Sequence, residues 1–298
     1  MKKLIFLFIA LSLNACVSLH VPIDQKTRSS IQEVEVYSVV IQDEISPAVK
    51  VASSTNTGNA IGGLLGMAIA ANVDAAKNKA RNRSAAELIE PFWNATLDVD
   101  YRSLAAPKVN SAVEKLFDPG NPDERSAYAV YSKEELREHV QALKPNSALV
   151  YIVHDYGFVD DYQRLRTGVR VLVYEPKSAS ESSVKPAYMR NFLYESGNVG
   201  SGNQNSIDLW LADDARLYKD KLGEGLDNIL EIVVYDIGGQ GDSCKTKGSV
   251  DAEVAPSYKT MPVKGTLWRV SDTFSVVETS NGIVYASEKS PNPPQPSC

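Results

Sequence analysis

The run Ala148-Leu149-Val150-Tyr151-Ile152-Val153 is apolar at every position. A strand with one wet face alternates, so an unbroken run calls for a strand covered on both sides. The flanks agree. Ser132-Lys133-Glu134-Glu135 has the spacing of a capping box, serine at the N-cap and glutamate three residues on. Leu136, Val140 and Leu143 then form a helical stripe, and Lys144-Pro145-Asn146 stops it. Downstream, Gly168 to Tyr174 places Val169, Val171 and Val173 on one side of a second strand, and Tyr188 to Tyr194 reads as a third. Ser178 to Ser183 is a polar loop between them. Upstream, Val34 to Val40 alternates before turning apolar. The chain therefore calls for an α+β or mixed α/β fold, one sheet packed with long helices.

The helices are read from 3.6-residue spacing. From Asp74 an amphipathic segment carries Leu88, Ile89, Phe92 and Trp93, with Pro91 expected to kink or restart it. Val109, Val113, Leu116 and Phe117 form the next, ended by Asp118-Pro119-Gly120-Asn121-Pro122. Asn203 to Ser206 leads into a long helix through Leu211, Ala215, Tyr218, Leu222, Leu226, Ile229, Leu230 and Val233, which ends at Ile237-Gly238-Gly239-Gln240-Gly241. A small C-terminal β appendage follows, a hairpin of 274–279 and 283–286 around Asn281-Gly282. Residues 291–296 are proline-rich.

The N-terminus is an address. Met1-Lys2-Lys3 precedes an apolar run from Leu4 to Leu13, then Leu13-Asn14-Ala15-Cys16. This is a secretory signal pattern, and its apolar run is shorter than the roughly 20 residues of a membrane span. The last four residues resemble the lipobox of bacterial lipoproteins. The resemblance implies cleavage before Cys16 and a diacylglycerol on its thiol. Several acyl chains hold a protein on a bilayer stably, at about 0.8 kcal/mol per buried CH₂. It also implies an outer-membrane location facing the periplasm, since Val17 is no inner-membrane retention signal. The chain divides into 1–15, signal; 16–33, lipidated tether; 34–240, α/β body; and 241–298, tail.

The formal charge of −6 becomes more negative when Lys2 and Lys3 leave with the signal. A net acidic chain without a basic tract is a poor partner for nucleic acid. Three cysteines are present, and lipid takes Cys16. Cys244 and Cys298 remain, an even pair in an oxidising compartment. A disulfide there closes a loop of about 54 residues and contributes roughly 4 kcal/mol in the chain-entropy model. The alternative is two free or intermolecular thiols. No Cys-x-x-Cys pattern supports zinc or redox chemistry, and no cofactor is expected.

One stretch fits no ordinary element. Residues 51–73 carry no charge, and Gly58, Gly62 and Gly66 recur every four residues beside Gly63, with Ala70 continuing the row. On a helix they line one face, at about 1 kcal/mol per glycine. Close approach of another backbone is the usual compensation. Three readings stand: packing inside the body, self-association through a glycine zipper, and membrane insertion. As a helix, 58–73 spans about 24 Å, short of the roughly 30 Å hydrocarbon core.

Candidate chemistry is sparse. Gly241-Asp242-Ser243 resembles the nucleophile block of one hydrolase family. It lies late in the chain, Cys244 replaces the usual leucine, and no histidine follows His154. A serine nucleophile needs a base. His154-Asp155 reads as a capped strand end with a solvated carboxylate, because neighbours on a strand point to opposite faces. His20 falls in the tether and His139 in a helix, so the histidines make no metal site. Asp160-Asp161 and Asp213-Asp214 lack a calcium-loop pattern; the latter pair is read as helix-complementing or solvated.

Lipobox and element order over 34–237 are similar to the periplasmic α/β domains of the curli-secretion lipoprotein and of lipoproteins that activate penicillin-binding proteins. The lipobox, glycine-rich stretch and Leu-rich body also resemble uncharacterised proteobacterial lipoproteins. These resemblances imply a non-catalytic, lipid-anchored envelope protein that binds or scaffolds envelope components. The alternatives are a subunit of an outer-membrane assembly or secretion complex that uses the glycine row and, more weakly, an envelope hydrolase. Expected partners are the membrane, a second copy or another envelope protein.

Overall fold

The computed structural model describes residues 20–40, 42, 44–47, 75–117, 123–127, 132–159, 161–180, 183–239, 246–254, 259–268 and 272–288. Within 75–84, 123–127, 133, 246–254 and 259–261 only the backbone is considered. The elements are α1 (Gln25–Ser30), β1 (Glu33–Val40), α2 (Ala75–Ala95), α3 (Tyr101–Phe117), β2 (Asp123–Ala127), α4 (Lys133–Gln141), β3 (Ser147–Val159), β4 (Arg164–Tyr174), β5 (Tyr188–Glu195), α5 (Asn203–Ile237), β6 (Thr246–Val254), β7 (Lys259–Trp268), β8 (Phe274–Glu278) and β9 (Val284–Glu288). A 3₁₀ turn, Pro176–Ser178, follows β4.

The strands form one mixed sheet in the order β2-β1-β3-β4-β5-β9-β8-β7-β6. β1 is parallel to both β2 and β3. β3, β4 and β5 form an antiparallel meander. The C-terminal strands join through a parallel pairing of β5 with β9, from Phe192↔Val284 to Glu195↔Ser287. The expected hairpin is β8–β9, with Gly282 at φ +83° in its turn, a left-handed position that suits glycine. The fold is α+β.

The run that demanded two covers has them. Ala148, Val150 and Ile152 of β3 face α2, α3 and α5 in the main core. Leu149, Tyr151 and Val153 face the opposite way, under Val140 of α4 and Leu143 just beyond it. The capping box of α4 is formed: the Glu135 amide donates to Ser132 Oγ (3.2 Å) and the Ser132 amide to Glu135 Oε2 (2.7 Å). Phe92 of α2 meets Phe158 and Tyr218 edge-on, at 5.2 and 4.8 Å. α2 continues through Pro91 as one element.

Two elements depart from expectation. β2 is a parallel edge strand of Asp123-Glu124-Arg125-Ser126-Ala127, held by backbone pairing to β1 without any apolar alternation. α5 is broken: Asp213, Asp214 and Ala215 have φ of +52°, +60° and +55°. Aspartate tolerates that region better than most residues. Ala215 is buried there, so packing holds the break. Asp213 and Asp214 form the break, and both are solvent-exposed. The helix ends as read, with the Gly238 amide on Val234 O and Gly239 at φ +75°.

The chain is already docked from His20, within the stretch read as tether. Val21 and Met189 exchange backbone hydrogen bonds of 2.9 and 3.0 Å. Asp24 caps α1, Arg28 reaches the Ile237 carbonyl at 2.8 Å, and Ile31 is buried. The edge of the sheet where β1, β3 and β5 begin is termed the lower edge; the edge where they end is the upper one.

Candidate functional site

Among the described residues three polar groups stand out on the sheet, two buried and one half-buried, and each follows from its strand register. The first joins β1, β3 and α3. Val40 pairs with His154, so Ser38 and His154 project to the same, helix-covered face. Ser38 Oγ lies 3.0 Å from His154 Nε2, and Tyr101 Oη lies 3.4 Å from Nδ1. Tyr101 also stacks on Tyr156, with ring centroids 4.4 Å apart. Burial holds His154 near pKa 4, so its imidazole is neutral at physiological pH. Both hydroxyls can donate or accept, and either tautomer is satisfied. A serine–histidine contact of this kind is the first half of a nucleophile–base pair. Here His154 has no solvent exposure and Ser38 is 4% exposed, so no substrate-sized group reaches them.

The second group lies directly behind the first. Asp155 faces the other side of the sheet, opposite Gly168. A Cβ on Gly168 would come within 2.0 Å of Asp155 Oδ1, so the missing side chain makes the notch that holds the carboxyl. Oδ1 has no hydrogen-bond partner. Burial raises Asp155 to about 6, and the charge of Arg166 works against that rise. The expectation of a capped strand end is corrected: His154 and Asp155 sit inside β3, which runs six residues past Val153, and the expected solvated carboxylate is half-buried. They do point to opposite faces. Beside the notch, the buried Glu195 carboxylate receives Arg166 at 2.5 Å and Arg164 at 3.4 Å.

The third group is centred on Arg190 of β5, whose side chain is 1% exposed. Its Nη1 donates to Asp236 Oδ1 at 2.5 Å, its Nε to the Gly282 carbonyl at 3.2 Å, and its Nη2 to Glu278 and to His20 Nδ1, the latter at 2.8 Å. Trp268 covers the guanidinium at 5.2 Å, and Tyr188 donates to Asp236 at 2.6 Å. Arginine cannot accept a hydrogen bond. His20 Nδ1 is therefore the acceptor, and the ring proton is on Nε2. Arg190 thus clamps β5, α5, the β8–β9 turn and the N-terminal segment together.

Sequence reasoning missed all three groups, because register and not spacing assembles them. The one available signal was a charged or polar residue at an inward position of an apolar strand: Ser38, His154 and Arg190. His139 pairs with Glu35 at 3.1 Å, away from all three. Cys16, Cys244 and Cys298, the glycines Gly58, Gly62, Gly63 and Gly66, and Asp242-Ser243 all lie outside the described residues. Among the described residues, no group of three His, Cys, Asp or Glu side chains could hold a metal ion. No described helix is long and apolar enough to cross a membrane. An open cleft of about 520 Å³ at the upper edge is lined by Gln42, Glu44, Ile45, Ser46, Pro47 and Trp93.

Fold and clusters together define an α+β sheet protein whose polar constellations are largely locked inside its own packing. Comparison with protein-family models, with curated proteins and with solved structures gives no match.

Proposed function

We propose that this chain is a lipid-anchored protein of the bacterial envelope, held through Cys16 on the periplasmic face of the outer membrane, and that it binds or scaffolds other envelope components without catalysing a reaction. The supporting observation is the Leu13-Asn14-Ala15-Cys16 motif, four positions before the residue at which the chain docks on its body. The sealed Ser38–His154 pair supports the non-catalytic part. The test replaces Cys16 by serine. Unaltered protein should sediment with membranes and carry acyl chains on Cys16, and Cys16→Ser should be released. Equal membrane retention of both forms would remove the anchor. Turnover of any ester or glycan substrate by purified protein, abolished by Ser38→Ala or Ser243→Ala, would overturn the non-catalytic part.

A second reading is a subunit of an outer-membrane assembly that uses the glycine row as its contact. The exit points favour it. Ser46 pairs with Gly157 at the upper edge, and Tyr162, also there, donates to the Ala85 carbonyl of α2. The chain is therefore held at the upper edge by Ser46 before the row and by Ala85 of α2 after it, opposite the edge where β5 begins and His20 is seated. Gly62→Leu and Gly66→Leu should each lower the mass seen by light scattering of delipidated protein. A monomer indifferent to both would end this reading.

A further inference from the structure

We infer that the lower edge of the sheet, where His20 is seated, rests directly against the bilayer that carries the Cys16 lipid, with its surface toward the headgroups. The inference rests on the proposed lipidation of Cys16 and adds an orientation to it. His20 is fixed by Arg190 and packs on Gly282, where a Cβ would come within 2.5 Å of His20 Cβ. Val21 is fixed by two backbone bonds to Met189. Only Val17, Ser18 and Leu19 separate Cys16 from this seat. Four residue steps span at most about 14 Å when fully extended.

That length decides the orientation. From the level of the seat at Tyr151, β3 runs four residues down to Ser147, about 13 Å, and eight up to Val159, about 26 Å. A leash of about 14 Å attached at the seat reaches the level of the lower end but not that of the upper one. Relative to the seat at Met189, which is level with Tyr151 through Leu172, the Ser46 exit at Gly157 is six residues higher, or about 20 Å. The surface beside the seat consists of the β8–β9 turn (279–283), the segment 183–187 and α1. It carries Asp24, Lys26, Arg28 and Lys185, and beside it Lys144 pairs with Glu33 at 2.8 Å and Lys177 with Glu175 at 2.9 Å. The leash supplies the proximity.

The experiment uses full-length protein matured in cells and reconstituted into phosphatidylethanolamine–phosphatidylglycerol vesicles. A fraction of the phosphatidylethanolamine carries a photoactivated diazirine on its headgroup. After irradiation and digestion, lipid adducts should be at least about ten times more frequent on peptides covering 183–187 and 279–283 than on those covering 96–98 and 200–203 of the upper edge. A flexible insert of about fifteen residues after Leu19 should even out the distribution. Equal labelling of both edges without the insert, or a preference for 96–98, would overturn the orientation. The same digest reports the mass of the Cys16 peptide. Unacylated Cys16 would refute the anchor and the orientation together, whereas acylated Cys16 with labelling spread over both edges refutes the orientation alone.

Discussion

His154 and Asp155 share a peptide bond, yet burial moves their proton affinities in opposite directions. His154 falls from 6.5 to about 4. Between those values the unfolded chain holds a proton that the native one lacks, so this stabilisation is complete above 6.5 and is lost as pH falls toward 4. Asp155 rises from 3.8 to about 6. There the native chain holds the extra proton, so its stabilisation is complete below 3.8 and is lost as pH rises through 6. Each slope is about 1.4 kcal/mol per pH unit, and between pH 4 and 6 they cancel. Relative to the unaltered protein, Asp155→Asn should therefore gain stability with rising pH over that window, and His154→Gln should lose it. Urea midpoints at pH 4, 5 and 6 measure both; parallel profiles for all three proteins would refute the compensation. Arg190 is a second residue-scale case. Arg190→Met should cost about 3–5 kcal/mol, because it leaves Asp236 and Glu278 without their cation. Adding Asp236→Asn and Glu278→Gln should restore much of the loss in the same denaturation assay.

At the scale of elements, legibility followed pattern strength. β3 and α4 were readable because an unbroken apolar run and a capping box each permit few conformations. β2 was not, because its Asp123-Glu124-Arg125 start carries no pattern and only the neighbouring β1 backbone makes it a strand. The break in α5 was hidden, since Leu211 and Tyr218 keep helical spacing on either side of left-handed residues. The polar groups were hidden for a third reason. Ser38 and His154 are 116 positions apart, and only strand pairing reveals that they touch. The attachment of α2 gives the prediction at this scale. Phe92 is fully buried between Phe158 and Tyr218. Phe92→Ala should destabilise by about 3–5 kcal/mol, read as a lower urea midpoint with an unchanged slope.

At the scale of the whole molecule, the seat of the N-terminal segment and the described residues that flank the glycine row, Ser46 and Ala85, lie toward different edges. The adjacency of anchor and row in sequence suggested a shared membrane, but β1 carries the chain from one edge of the sheet to the other between them. Under the proposed orientation the row's attachment points face away from the anchoring bilayer. Loss of mass in the Gly62→Leu and Gly66→Leu light-scattering test would then report a contact made on the side remote from the lipid.

The seat of His20 also has a timetable. Its partners Glu278 and Gly282 come from nearly the last described strands, about 260 residues later in a chain made from its N-terminus onward. Until β8 and β9 have been synthesised and β9 has paired with β5, the seat is incomplete. The N-terminal segment is then a loose lead, free to meet the enzymes that would cleave and acylate it. Completion of the final hairpin draws that lead in. Under the proposed lipidation, the pairing of β9 with β5 thus shortens the lead between lipid and body.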